Sequence, residues 1–472
     1  VSGDDGVRSL RPNTSAASDV TDSARADPSK GRPVEGRGTG ARARAAELDA
    51  ADSLAGFVDR FLPVGAAGPA GDLAAGHGAP VVAYLDGNSL GRPPREVAER
   101  MQDLITATWG SRLIRGWTDE WMTWPETVGD LVGGSVLGAA PGQTVVADST
   151  TVMLYKLARA AVAARPGRHE ILLDTDNFPT DRYVLEGIAH ERGLRLRWVE
   201  TDPAEGIRPE QVAGAVGPDT ALVVFSHVAY RSGWLADAEA ITRIAHDAGA
   251  LMLWDLCHSA GSVPVELDRW SVDLAVGCTY KYLNGGPGAP AFGYVAERLQ
   301  GELQQPIWGW MGRHDPFEMG PGYRPAEGIR SVVSGTPPIM GMLPVRVGVE
   351  LVAEAGIEAI RAKSVALTQF AIEIVDGWPS ELGVEVASPR DPARRGSHVT
   401  LRRADFREVN QALWDRGVIP DFREPDGIRI GLSPLSTTFA EVEQALAIMR
   451  EVLESRPVAA DSPSARVDAT EP

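Results

Sequence analysis

An acid and an amine stand at the ends of two apolar runs: Asp255 closes LMLW, and Lys281 follows LAVGCTY 26 positions later. A carboxylate at a strand end can hold a cationic ring nitrogen, or it can cap a turn. Lys281 lies between Tyr280 and Tyr282, ahead of NGGPGAP, a poor setting for a solvated surface charge. The chain has only four lysines, Lys30, Lys156, Lys281 and Lys363. Lys30 falls in a polar tail, and Lys156 and Lys363 fall in helical sequence. Where an amine must bond to a carbonyl as a Schiff base, Lys281 is the candidate. Upstream, ADSTTVMLYKLARAAVAA passes from loop to helix. Ser149, Thr150 and Thr151 would stand at its N-terminus, where backbone N–H groups and hydroxyls can hold a phosphate or form an N-cap and nothing more. Phe178, after EILLDTD, can stack on a ring or belong to the core. A phosphate site, an acid for a ring nitrogen, an amine for an aldehyde and an aromatic face together point to pyridoxal 5'-phosphate.

The elements that must position these groups follow from pattern. Short apolar runs (EILLDTD, ALVVFSHV, ALMLWDL, LAVGCTY, AFGYV) alternate with helical segments such as DAEAITRIAHDAGA. That alternation implies an α/β fold with a mainly parallel sheet covered on both faces. Residues 1–46 and 457–472 lack apolar periodicity and are expected to be disordered tails. A large domain is expected over 47–345 and a smaller α+β domain over 346–456. The 64 acidic and 46 basic residues give a net charge of −18, which argues against a nucleic-acid partner and for a small molecule. No apolar run is long enough to span a membrane. VSGDDGVRSLRPNTS has no signal-peptide pattern, and the two cysteines, Cys257 and Cys278, cannot build a disulfide framework. Both facts fit a reducing cytoplasm, with each thiol expected as a small buried hydrophobe. The eight histidines are scattered without HExxH or CxxC spacing, so no metal site is expected, and His190, His246 and His398 read as structural.

The segments YLDGNSLG, FPTD, WDLCHSAG, GCTYKYLNGGPGAPAF, GWMG and GIRIGLSPL occur in this order from about residue 84 to 440. In these the chain resembles the kynureninases, enzymes of the aspartate-aminotransferase-like type I pyridoxal-phosphate fold. The resemblance implies a homodimer that hydrolyses L-kynurenine or 3-hydroxykynurenine to an anthranilate and L-alanine. It implies that Lys281 bonds to the cofactor, Asp255 pairs with the pyridine nitrogen, and His258 lies near the phenolate side. Phe178 would stack on the ring. Thr150 and Thr151, helped by Tyr280, would hold the phosphate, and Asp181 and Ser226 would complete the surroundings. Trp310 and Thr336 fall on segments that reach the cofactor across the dimer interface in such enzymes. Arg429 would clamp the substrate's α-carboxylate with a fork that lysine cannot offer, and Asn88 and Ser89 would face the substrate. Tyr280 would serve as the acid. The pattern breaks twice: Arg313 follows GWMG where bacterial members tend to have histidine, and Ser436 stands in place of a tyrosine. If Arg313 and Ser436 lined the pocket, the alternative would be a β-lyase, for example one acting on a cysteine conjugate. A retired fold used as a scaffold is opposed by the intact Lys281 and Asp255.

Overall fold

Runs such as ALVVF and LMLW are apolar at successive positions, a pattern that suits a strand only where both sheet faces are covered. The computed structural model describes residues 37–65 and 80–456 and contains such a sheet. Its seven strands are β1 (Thr144–Ala147), β2 (Glu170–Asp174), β3 (Arg195–Val199), β4 (Thr220–Ser226), β5 (Leu251–Asp255), β6 (Leu274–Gly277) and β7 (Ala291–Val295). They lie in the order β1-β7-β6-β5-β4-β2-β3. β3, β2, β4, β5 and β6 are parallel, and β7 runs antiparallel to both its neighbours. Alternation along each strand splits the apolar residues between two cores. Leu172, Val223, Met252 and Trp254 enter one, and Ile171, Leu173, Val224 and Leu253 enter the other.

The C-terminal lobe holds an antiparallel sheet of β8 (Glu385–Val386), β9 (His398–Arg402), β10 (Asp421–Arg423) and β11 (Gly427–Gly431), in the order β10-β11-β9-β8. Its core joins Val399, Leu401, Ile428 and Ile430 to Leu367, Phe370, Leu446 and Met449 from the helices Ile357–Asp376 and Phe439–Glu454. The boundary expected at 345/346 falls inside the helix Ile339–Ala355, whose Met342, Val345, Val349 and Val352 pack in the large-lobe core.

Two expectations near the N-terminus need correction. The tail expected over 1–46 gives way to a helix, Arg37–Ala51, although residues 1–36 and 457–472 lie outside the described residues. RGTGARARAA has two glycines and no apolar stripe, so its helix depends on tertiary packing, which pattern alone does not reveal. Ala45 and Leu48 pack in the C-terminal lobe. Asp49 accepts from the N–H groups of Phe439 and Ala440 at 2.8 and 2.9 Å, capping the last helix. Ala83–Tyr84, inside the span expected for the large domain, pairs in parallel with Val418–Ile419, from the span expected for the smaller one. The following turn reaches the large lobe through Gly91, whose N–H donates to the Tyr280 carbonyl at 2.7 Å. A Cβ at Gly91 would collide with the Lys281 carbonyl oxygen and the Asn284 side chain, so this approach requires glycine.

Candidate active site

The carboxyl ends of parallel strands are where an open α/β sheet receives ligands. Ser226 and Asp255 end β4 and β5 and pair directly in register. Ser226 Oγ donates to Asp255 Oδ2 at 3.1 Å, and the Cys257 N–H donates to Asp255 Oδ1 at 2.9 Å. Both carboxylate oxygens are thereby fixed at the mouth of the sheet. Lys281, in the loop after β6, is 9% exposed, and its Nζ donates to His258 Nε2 at 3.2 Å. The same Nζ lies 5.9 Å from the centre of the Phe178 ring. Phe178 follows β2 and is held edge-on by Tyr230, with ring centres 5.3 Å apart.

A cleft lined by Thr150, Thr151, Phe178, Asp181, Asp255, His258, Tyr280 and Lys281 gathers these groups. A second cleft shares Thr150, Thr151 and Tyr280 and is closed by Thr336 within the same chain. Ser149 caps the helix Thr150–Ala163, accepting from the Val152 N–H. Thr150 and Thr151 form its first turn, whose N–H groups have no intrahelical partners and face the positive end of the helix dipole.

Burial sets the charge states. His258 is depressed well below the ordinary imidazole range by burial and then by Lys281, so it is neutral and accepts from the ammonium. Asp181 is buried with Oδ2 unpartnered, and burial, reinforced by Asp255, raises its carboxyl well above the usual range. Tyr280 is raised by burial and then by Cys278, so it keeps its phenolic proton through the neutral range.

Asp174, at the end of β2, is pushed up to about 7 by burial and then by Asp176. Its raised native value means that the fold loses stability through this group as pH climbs from 3.8 through about 7, at most about 1.4 kcal/mol per pH unit. Asp174→Asn should therefore raise the melting temperature more at pH 7.5 than at pH 4.5. Equal gains at both values would refute this assignment.

The donor set fits pyridoxal 5'-phosphate. The buried Asp181 oxygen in the cleft has no polar partner, and a protonated ring nitrogen beside Asp255 would bring one. The hydroxyls and N–H groups of Thr150 and Thr151 suit a phosphate, and Lys281 suits an aldehyde.

Other expected residues lie elsewhere. Arg429, on β11, is 1% exposed. Its Nε donates to Asp421 Oδ2 at 2.8 Å, its Nη1 to the Tyr230 carbonyl at 2.8 Å and its Nη2 to Ser89 Oγ at 2.9 Å. It abuts the cleft through Tyr230, which packs on Phe178. Asn88 is fully buried beside Gly431, with both side-chain polar atoms unpartnered. Trp310 is half-exposed and edge-on to Phe317, and it lines neither cleft within one chain.

Arg313 is also outside both clefts. Its side chain is mostly buried and binds Glu318 at 2.7 Å and the Asp315 carbonyl at 2.9 Å, so its charge staples a loop. Ser436 is fully buried with its hydroxyl unpartnered, and it lines neither cleft. The β-lyase alternative rested on these two residues reaching the pocket.

Sequence reasoning missed several participants. Thr180 and Cys257 line the cleft, so Cys257 is not the wholly buried hydrophobe expected. Asn177 Oδ1 also stands 3.1 Å from Ser226 Oγ, as a second acceptor for its single proton. His398 lies 5.6 Å from the His258 ring, nearer the site than its isolated position on a strand implied.

Comparison with known proteins places these features in context. Residues 360–449 match the family described as Kynureninase C-terminal domain. The chain is 41% identical over 417 residues to a kynureninase of Pseudomonas fluorescens, covering 87% of this chain and 94% of that one. It is 40% identical over 422 residues to a kynureninase of Burkholderia pseudomallei (strain K96243), covering 88% and 96%. Among solved structures it resembles a cysteine desulfurase, CsdA, from Escherichia coli, with a TM-score of 0.71 at 16% identity over 85% of this chain and 99% of that one. The apo cysteine desulfurase of Thermococcus onnurineus NA1 gives 0.69 at 20% identity over 79% and 95%. The fold is the type I pyridoxal-phosphate fold.

Proposed function

Because the chain belongs to the kynureninase family, we propose that it hydrolyses L-kynurenine or 3-hydroxykynurenine to an anthranilate and L-alanine. It is a pyridoxal-phosphate-dependent hydrolase of kynureninase type, and the bound cofactor supplies an electron sink for the substrate's α-carbon. The observation that carries the substrate proposal is the cleft in which Lys281, neutral His258, Phe178 and the fixed Asp255 converge.

Lys281 would hold the cofactor's aldehyde carbon, and its Nζ would take the substrate's α-proton. His258, kept neutral, accepts from that ammonium and sets its direction. Asp255, oriented by Ser226 and the Cys257 N–H, would keep the cofactor's ring nitrogen protonated. Tyr280 retains its proton and would donate it to Cβ as a water molecule's hydroxyl bonds to Cγ and the Cβ–Cγ bond breaks. Thr150 and Thr151 would hold the cofactor's phosphate, and Phe178 would support its ring. Arg429, anchored by Asp421 and Ser89, receives the substrate's α-carboxylate, with Asn88 beside it. Thr336, Trp310 and Arg313 belong to the segment through which a second copy would approach, and the working form is a homodimer in the cytoplasm. Among the described residues, no helix is long and apolar enough to cross a membrane.

Incubation of the loaded enzyme with L-kynurenine and with 3-hydroxykynurenine tests this directly. Fluorescent anthranilate, or its hydroxy form, and alanine are expected in equal amounts. A loaded enzyme that releases neither product from either compound overturns the proposal.

A further inference from the structure

A lysine expected to be an ordinary helical residue is among the most deeply buried charges of the described residues. Lys156 is 0% exposed, two turns into the helix Thr150–Ala163. Its Nζ lies 2.5 Å from Asp148 Oδ2 and donates to the Val332 carbonyl at 2.9 Å. Asp148 lines the cleft shared by Thr150, Thr151 and Tyr280, and Val332 directly precedes another segment that lines it. One wall runs from Ala147 to Thr151, and the other runs from Val333 to Pro338.

Burying an ammonium is costly unless it is paired and hydrogen-bonded, so this lysine must be held for a purpose that a surface lysine could not serve. Asp148 itself sits at φ 53°, in the left-handed region that residues other than glycine rarely adopt. Its carbonyl accepts from the Ala291 N–H at 2.9 Å, fixing it to β7. It directly precedes the Ser149 cap, and its carboxylate lines the cleft at the end where an anion would meet the helix N-terminus. An unneutralised carboxylate there would repel a phosphate.

We propose that Lys156 is a positioning residue for the phosphate end of the cofactor site. It masks the Asp148 carboxylate and ties the Ser149–Thr151 turn to the Val333–Pro338 wall. This proposal rests on Thr150 and Thr151 being the phosphate end.

The test compares pyridoxal 5'-phosphate with pyridoxal, which lacks the phosphate, as ligands of the full chain freed of cofactor. Dissociation constants are read from quenching of tryptophan fluorescence. Wild type should prefer the phosphorylated form strongly. Lys156→Met should weaken pyridoxal 5'-phosphate by about 30-fold and pyridoxal by less than about threefold, the scale expected when one partner of a buried charge pair is removed. A general loss of packing would weaken both ligands alike and overturns the proposal, as does an unchanged preference.

If Lys156→Met does not accumulate folded, Lys156→Met with Asp148→Asn leaves no buried charge unpaired and carries the same test. That double variant should still lose about tenfold of the preference, because the tie to Val332 is gone. A wild-type chain that binds both ligands equally would instead overturn the phosphate assignment itself.

Discussion

Lys281→Ala is expected to lower turnover by roughly 10⁴-fold or more and to abolish the visible absorbance band of the cofactor-loaded enzyme. Among the described residues no other lysine can take its place. Lys156 is committed to Asp148, and Lys363 is buried against Asp52 at 2.6 Å. His258 is neutral, so losing its contact with Lys281 leaves no charge stranded on it. Far-ultraviolet circular dichroism should therefore match the wild type while the spectrum and the rate collapse. A variant retaining wild-type turnover would remove Lys281 from the chemistry and with it the assignment of the cleft.

The second large effect is expected at Asp255. Asp255→Asn preserves shape but removes the negative charge, and one of its two acceptors becomes a donor facing Ser226 Oγ or the ring nitrogen. A ring nitrogen no longer held in its protonated form stabilises the developing carbanion poorly. kcat should fall by roughly 10²–10³-fold, the scale of breaking a buried ionic contact. KM should change much less, because the substrate's carboxylate is held elsewhere. Asp255→Glu, which keeps the charge, should recover part of the rate. An unchanged kcat in Asp255→Asn would show that the carboxylate serves only the strand end.

Much of the cofactor half was legible in the chain because its residues close apolar runs. Ser226 and Asp255 each end a continuous strand, and strands of an open sheet deliver their last residues to one place. Phe178 and Lys281 follow such strands directly. The edge strand β3 was not legible, since RLRWV is mostly exposed and lacks the continuous apolar signal. The partners of Arg429 were equally hidden. Asp421 comes from the neighbouring strand, Tyr230 from the large lobe and Ser89 from the N-terminal turn, and only tertiary structure joins them. Lys156 was misjudged for a related reason. Helical spacing shows which face a residue occupies, but not that a distant segment near Val332 buries it.

The cap that Asp49 places on Phe439 has a consequence for how the molecule is made. These residues are 390 positions apart, so a growing chain at ~5–20 residues per second makes the first helix wait roughly 20–80 s for its partner. During that interval everything from β1 to the Lys281 loop has already left the ribosome, and the sheet that carries Thr150, Asp255 and Lys281 can close on its own two cores. β11, with Arg429, and the final helix come out last, and only then can the N-terminal helix dock through Asp49. On the proposed assignment, the residues for the cofactor are thus in place before Arg429, the residue for the substrate's carboxylate. The unpaired first helix is the segment that a chaperone would meet during synthesis.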